Sequence, residues 1–198
     1  MRRDLTIIAD LVRTGARVLD LGCGDGELLE FLQREKRVNG YGLEIDAAKI
    51  TTCIQRGVNV IEQDLDRGLH GFASLSFDLV VMTETLQAVR EPSTLIDEML
   101  RIGTECIVTF PNFAHWRCRM YLASKGRMPV ARHLPNHWYN TPNIHLCTFA
   151  DFEELCREKD LEIIDRFVVD SNYQSAALMD RMPNLFGAIA VYRLGRRR

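Results

Sequence analysis

The residues best suited to chemistry lie in one short run, Val18–Gly26, which reads VLDLGCGDG. Its three glycines, at positions 22, 24 and 26, have no Cβ, so the backbone can turn sharply there and approach a ligand closely. A dinucleotide-binding motif would carry its third glycine at position 27, where this chain has Glu27. The carboxyl of Asp20, just before the turn, would repel a diphosphate but attract a ligand with an ammonium group, directly or through water.

The elements that must position this run alternate between short β-branched segments and amphipathic ones, which is typical of βαβ units. We predict strands at Arg17–Leu21, Val38–Glu44, Val58–Glu62, Leu79–Met82, Cys106–Phe110, Leu161–Val169 and Ala188–Leu194. We predict helices at 25–36, 46–56, 93–102 and 149–159, with Ser93 capping the third. The predicted fold is α/β, a doubly wound, mostly parallel seven-stranded sheet that binds its ligand at the carboxyl ends of the first two strands.

Together with three later acidic segments, the glycine run resembles the class I S-adenosylmethionine (SAM)-dependent methyltransferases. In that superfamily the acid at Glu44 would hold both ribose hydroxyls, Asp64 would meet the adenine amino group, and Asp78–Pro92 would lie under the methionyl part. The resemblance implies SAM or S-adenosylhomocysteine as cofactor. The cofactor-binding residues that it implies are Asp20, Gly22, Cys23, Gly24, Gly26, Glu44, Ile45, Asp64, Leu65 and Thr83. The alternative is a tight strand-to-helix turn with acids in solvent at the strand ends.

Methyl transfer from a sulfonium depends mainly on in-line placement, and a base is needed only when the acceptor loses a proton. The candidate catalytic residues are Glu84, His115, His137 and Tyr139. Each has a structural alternative, such as a surface carboxylate at Glu84 or a half-buried ring at His115. Ala88 stands where many small-molecule methyltransferases carry a histidine or an acid, and it supplies no group for proton transfer.

Residues 112–148 interrupt the alternation of elements. The segment holds five bases, no acid, four of the five histidines and both tryptophans. Trp116, Trp138, Tyr139 and Arg127 are residue types that anchor protein contacts, so we interpret the segment as a lid or a partner surface. A nucleic-acid interface is disfavoured because the bases lie among apolar residues rather than in a dense stripe.

Three stretches within and beside this segment resemble the methionine biosynthesis protein MetW family, a resemblance that extends across essentially the whole chain. They are Pro111–Trp116, Gly126–Val130 and Leu134–Thr148. The resemblance implies a methyltransferase-like protein of bacterial methionine biosynthesis that associates with the homoserine O-acyltransferase. We therefore expect one domain over residues 1–198, with an aromatic and basic insertion at about 112–148.

The composition excludes several classes of protein. A net charge of −2, from 25 basic and 27 acidic residues, creates no global attraction to nucleic acid or to an anionic membrane. The apolar runs are far shorter than the roughly 18–20 residues that cross a bilayer. The six cysteines are scattered without a C-x-x-C pair, which predicts reduced thiols and no metal site. Mixed polar and apolar residues, rather than a signal-peptide core, follow Met1–Asp4, so we expect a cytoplasmic location.

Three functional hypotheses remain open at this point. The chain is a methyltransferase acting on a small molecule, or an accessory subunit of the acyltransferase without a methyl acceptor of its own. In the third hypothesis a SAM-holding subunit reports the level of the pathway's end product, which requires SAM to prefer one state of the complex.

Overall fold

The structure, a computed structural model, describes residues 3–170 and 177–197. Its helices are α1 (Arg3–Leu11), α2 (Glu27–Lys36), α3 (Ala47–Gln55), α4 (Pro92–Ile102), α5 (Trp116–Lys125), α6 (Phe149–Glu158), α7 (Ala177–Arg181) and α8 (Pro183–Phe186). Its strands are β1 (Arg17–Leu21), β2 (Asn39–Glu44), β3 (Asn59–Glu62), β4 (Phe77–Thr83), β5 (Gly103–Pro111), β6 (Leu161–Val169) and β7 (Ile189–Arg196). Within the described ranges, no helix is long and apolar enough to cross a membrane.

The strands form one seven-stranded sheet in the order β3-β2-β1-β4-β5-β7-β6. Strands β1 to β5 pair in parallel, and β7 runs antiparallel to both β5 and β6. The order reverses between β1 and β4, and doubly wound sheets bind ligands at the carboxyl ends of the strands beside such a reversal. The predicted fold class is confirmed.

Two apolar layers cover the two faces of the sheet, as the alternation of side chains along β4 shows. Val80 and Met82 pack in the layer that contains residues of α4 and α6, whereas Leu79 and Val81 pack with residues of α1, α2 and α3. The same period of two along β1 places Asp20 on the face covered by α1 to α3. The carboxyl therefore lies at the edge of a hydrophobic layer.

Several predicted boundaries are wrong, and each error has a local cause. The helix predicted from residue 25 begins at Glu27, because Gly26 has the left-handed φ of 80°. Pro92, not Ser93, begins α4, and its fixed φ suits the first helical position. The fifth strand includes Pro111, because β7 extends the ladder as far as the Pro111–Ile189 pair.

Four helices, α1, α5, α7 and α8, and the last residues of β7 were not predicted. Helix α1 precedes the first predicted element, and α5 lies inside the segment 112–148. In α5 only Cys118 is buried, and the sequence of the helix has no apolar stripe from which it could be predicted. The last strand was predicted to end at Leu194, but β7 extends to Arg196, whose Nε donates to the carbonyl of Leu100 at 3.3 Å.

Gly42 in β2 makes room for the turn after β1. A Cβ added at Gly42 would collide with Cys23, whose Sγ and Cβ lie in that space, the Cβ at 2.8 Å. We expect Gly42→Ala to lower the free energy of unfolding by about 1–3 kcal/mol, as overpacking does, measured by urea titration. Gly71→Ala is the matched control, since no atom lies within 4 Å of its added Cβ. Equal unfolding midpoints for the two variants would contradict this account of β2.

Candidate functional site

The turn between β1 and α2 depends on glycine conformations. Gly22, Gly24 and Gly26 have φ values of 70°, 60° and 80°, in the left-handed region that other residues rarely adopt. The amides of Gly22 and Cys23 both donate to the carbonyl of Leu43, at 2.9 and 3.0 Å. These bonds join residues 22–26, the glycine loop, to the carboxyl end of β2.

The carboxylate of Glu44 makes a second set of bonds to this loop. Its Oε2 accepts a hydrogen bond from the amide of Gly24 at 2.9 Å, and its Oε1 accepts from the amides of Ile45 and Asp46 at 2.9 and 3.0 Å. Glu44 is buried, so these charge-assisted bonds are shielded from water. Glu44 therefore fixes the middle of the glycine loop against the end of β2.

Asp20 has no such partners. It is 1% exposed, and among the described residues its Oδ1 has no hydrogen-bond partner. Burial, with a smaller contribution from the negative charge of Glu44, raises the pKa of Asp20 to about 7. A buried carboxyl without a partner is energetically costly, and a cationic donor would relieve that cost.

A cavity of about 420 Å³ opens beside Asp20 at the carboxyl edge of the sheet; we call it the glycine-loop cavity. Residues from α1, the glycine loop, α2, α3 and the end of β4 line it: Leu5, Asp20, Gly22, Cys23, Gly24, Asp25, Glu27, Leu28, Lys49, Thr83, Glu84 and Thr85. Of the ten residues predicted to bind cofactor, five are in this lining, together with the catalytic candidate Glu84. Its volume lies within the range of small-molecule sites.

The other five predicted cofactor residues are not in the lining of this cavity. Gly26 precedes α2, Glu44 ends β2, and Ile45 follows it. The backbone amide of Gln63 donates to the carbonyl of Glu44 at 3.0 Å, which joins the ends of β2 and β3 just before Asp64. Asp64 accepts a hydrogen bond from the amide of Asp66 at 3.0 Å, and Leu65 packs against the core.

The loop after β4 connects the cavity to the segment 112–148. Glu84 has a left-handed φ of 48°, and its amide donates to the carbonyl and the hydroxyl of Thr109 at 3.1 and 2.9 Å. The buried side chain of Gln87 donates to the carbonyl of Glu84 at 2.6 Å. The carbonyl of Gln87 in turn accepts from the amides of Ile144 and His145 at 2.9 and 3.0 Å.

The structure separates the remaining catalytic candidates from this cavity. His115 lines a different cavity beside α5. His137 and Tyr139 stack on each other with ring centroids 5.4 Å apart, and they line neither of these two cavities. Glu84 is therefore the one catalytic candidate that the structure places beside the glycine loop.

The segment 112–148 carries much of the molecule's exposed apolar surface. Ten of the 18 large apolar side chains that are exposed in the described residues lie between positions 116 and 146, and we call them the aromatic surface: Trp116, Met120, Tyr121, Leu122, Met128, Val130, Trp138, Tyr139, Ile144 and Leu146. Trp138 and Tyr139 are 75% and 69% exposed. Apolar surface of this extent is typical of interaction sites.

Several residues of the site escaped the sequence analysis. Lys49 and Leu5 reach the cavity from helices that carry no recognisable motif, and Thr85 lies in the predicted segment Asp78–Pro92 but was not singled out. Cys53 in α3 donates from its Sγ to the carbonyl of Gly24 at 3.2 Å, and its Sγ lies 3.9 Å from that of Cys23. Burial raises the pKa of both thiols, so they act as packing groups. No sequence motif indicates this pair, because only the fold brings α3 to the glycine loop.

Known proteins resemble this chain over nearly its whole length. A sequence model of the family described as methionine biosynthesis protein MetW matches residues 2–194. A curated relative from Rhodopirellula baltica, the bifunctional methionine biosynthesis protein MetXA/MetW, is 35% identical over 193 residues, which are 93% of this chain and 31% of the relative. The chain thus spans about a third of the length of the curated relatives that it matches.

Solved structures share the fold. A SAM-dependent methyltransferase from Mesorhizobium loti superimposes with a TM-score of 0.71 at 16% identity, over 98% of both chains. The [4+2]-cyclase SpnF superimposes with a TM-score of 0.69 at 18% identity, over 98% of this chain and 80% of that one. At such identities the likeness concerns the architecture, which supports different reactions.

The raised pKa of Asp20 predicts how stability depends on pH. The folded chain binds this proton more tightly than the unfolded chain, so the contribution of Asp20 to stability falls as pH rises from about 4 to about 7. We expect Asp20→Asn to stabilise the protein at about pH 8, by at most roughly 4 kcal/mol, and the gain to shrink towards pH 4. Urea unfolding at both pH values measures the difference.

The control is Asp10→Asn, which removes the same charge from an exposed position in α1. A gain for Asp20→Asn that is the same at both pH values would show that the carboxyl titrates normally.

Proposed function

The chain belongs to the methionine biosynthesis protein MetW family, and we propose that it acts there as a SAM-binding accessory subunit of the homoserine O-acyltransferase. The observation that carries the cofactor part is Asp20, a buried carboxyl that lines a cavity beside a glycine loop and whose Oδ1 has no hydrogen-bond partner in the part of the chain that the structure describes. The observation that carries the partner part is the aromatic surface.

The residues around the cavity fit the chemical groups of SAM. Asp20 would accept hydrogen bonds from the ammonium group, and that positive charge would favour the ionised carboxylate. The glycine loop presents backbone without Cβ atoms to the ligand. Asp64, beyond the end of β3, would meet the adenine amino group, and Glu44 would meet the ribose. When bound, SAM supplies an activated methyl group, and S-adenosylhomocysteine offers the same polar groups without it.

The bonds of Glu44 limit how it meets the ribose. A carboxylate offers about four acceptor positions, and three are taken by the amides of Gly24, Ile45 and Asp46. Holding both ribose hydroxyls would therefore require the Gly24 bond on Oε2 to be shared or replaced. Because Glu44→Ala would release the glycine loop as well as the ribose, Asp20→Asn is the cleaner variant for testing the site.

The proton-transfer groups near the cavity favour an accessory role over methyl transfer. Glu84 lines the cavity, Ala88 offers no such group, and His137 and Tyr139 lie elsewhere. Of the predicted catalytic residues, Glu84 is then the one in the lining that could serve an acceptor that must lose a proton. The second candidate, a free-standing methyltransferase acting on a small molecule, is supported by the fold of the structural neighbours.

The partner proposal combines the aromatic surface with the curated relative. That relative is named as a bifunctional MetXA/MetW protein, so one chain joins the two activities. When two proteins are fused into one chain in one organism, the corresponding separate chains of another organism are expected to associate. Exposed tryptophan and tyrosine side chains, such as Trp138 and Tyr139, are the residue types that contribute most to protein interfaces.

The hydrogen bonds of Gln87 offer a route by which a ligand would influence this surface. Glu84 lines the cavity, the Gln87 side chain binds its carbonyl, and the Gln87 carbonyl binds the amides of Ile144 and His145. Ile144 belongs to the aromatic surface. A ligand that favours one arrangement of this loop therefore favours one arrangement of the surface, which is the condition for SAM to regulate the complex.

We expect calorimetric titration of SAM and S-adenosylhomocysteine to show binding that strengthens about fivefold from pH 6 to pH 7. In this range the ionised fraction of a group with a pKa of about 7 rises from roughly a tenth to a half, while the ligand's α-amine stays protonated. Asp20→Asn should weaken binding and remove the pH dependence, and Asp10→Asn should change neither. Absence of binding by both ligands would refute the cofactor proposal.

We expect this chain and the homoserine O-acyltransferase of the same organism to co-elute in size-exclusion chromatography. The double substitution Trp138→Ala with Tyr139→Ala should weaken association at least tenfold, because it removes two interface anchors. The control is Ile54→Ala, an exposed apolar residue in α3 outside the aromatic surface. Acyltransferase activity that varies with SAM in the mixture would support regulation.

Separate elution together with unchanged acyltransferase activity would reject the accessory role. The free-standing methyltransferase then predicts that the chain converts SAM to S-adenosylhomocysteine when thiol or hydroxyl acceptors are supplied.

A further inference from the structure

A second cavity, of about 630 Å³, lies between the start of α5, the segment 129–133 and α8; we call it the histidine cavity. It shares no lining residue with the glycine-loop cavity, and its volume also suits a small molecule. Its walls combine charged, aromatic and apolar groups: His115, Trp116, Arg117, Cys118, Tyr121, Pro129, Val130, Ala131, Arg132, His133, Asp170, Met179 and Phe186.

Two histidines pack against each other in this wall. The rings of His115 and His133 meet edge to face with centroids 5.2 Å apart, and the Nε2 of His133 lies 3.7 Å from the Sγ of Cys118. Burial, and then the neighbouring His115, lowers the pKa of His133 to about 4, while burial and Arg117 lower that of His115. Both rings are therefore neutral at pH 7.

The protonated nitrogen of His115 follows from its hydrogen bond. Its Nδ1 accepts from the amide of Arg117 at 3.3 Å, so the proton of the neutral ring sits on Nε2. His115 is only 7% exposed, and in the same wall the buried Nδ1 of His133 has no hydrogen-bond partner among the described residues. The cavity wall thus contains a buried polar atom that the described residues leave without a partner.

The charged residues of the wall set the sign of the ligand. Arg117 and Arg132 contribute two positive charges and Asp170 one negative charge, so with neutral imidazoles the lining has a net charge of +1. The guanidinium of Arg117 lies 5.3 Å from the ring centroid of Trp116, a contact that orients it. A monoanion balances this lining, whereas Asp170 would repel a more highly charged anion.

We infer that the histidine cavity binds a small aliphatic carboxylate. Its carboxylate oxygens accept hydrogen bonds from the guanidinium groups of Arg117 and Arg132, beside the rings of His115 and His133, and its aliphatic part contacts Val130, Met179 and Phe186. The inference is independent of the proposed function, because it involves neither SAM nor the acyltransferase. It gives residues 112–148 a ligand site as well as a surface.

The test is a titration of the full-length chain, labelled at histidine, with sodium butyrate at constant ionic strength, followed by NMR. Butyramide, which has the same size and no charge, is the matched ligand. We expect saturable shifts of the His115 and His133 ring signals with butyrate, and at least fivefold weaker binding of butyramide. His137 and His145, which lie outside the cavity, should keep their positions.

Substitutions locate the effect. Arg117→Gln and Arg132→Gln should each weaken butyrate binding at least fivefold, whereas Arg127→Gln, an exposed base of the same segment that does not line the cavity, should not. Asp20→Asn should leave butyrate binding unchanged, which separates this site from the cofactor proposal. Unsaturable shifts, equal binding of butyramide, or equal effects of the three arginine variants would overturn the inference.

Discussion

The carboxylate of Glu44 holds together the edge of the sheet where the proposed cofactor contacts lie. It joins the glycine loop to the end of β2 by accepting hydrogen bonds from three backbone amides. The backbone carbonyl of Glu44 accepts a further bond from the amide of Gln63, just after β3. The ionised Glu44 also adds to the burial that disfavours charge on Asp20. Glu44 therefore orders the loop and, after burial, also contributes to the raised pKa of Asp20.

Much of the fold was predictable because short apolar and β-branched runs mark its strands. Strands such as Arg17–Leu21 and Leu161–Val169 lie where the β-branched runs place them. The boundaries failed where tertiary pairing decides them, as at Pro111, where β7 extends the ladder. Helix α5 escaped prediction because a mostly exposed helix lacks the apolar period on which such predictions depend.

The glycine-loop cavity and the histidine cavity differ in how far the sequence determines them. The glycine loop and Asp20 are contiguous, so their spacing alone indicates a turn that faces a ligand. His133 and Cys118 are far apart in the chain and meet only because α5 packs against the segment 129–133. No sequence motif indicates such a pair, since local spacing says nothing about two elements that only the fold brings together.

The placement of β7 has a consequence for synthesis of the protein. The last strand of the described chain lies between β5 and β6 rather than at the sheet edge. Both neighbours leave the ribosome earlier, so each exposes an unpaired backbone edge until β7 emerges to bond them. The apolar stretch of β5 is thus open to wrong pairings throughout translation of residues 112–188. A chaperone or a partner bound cotranslationally would act in that interval.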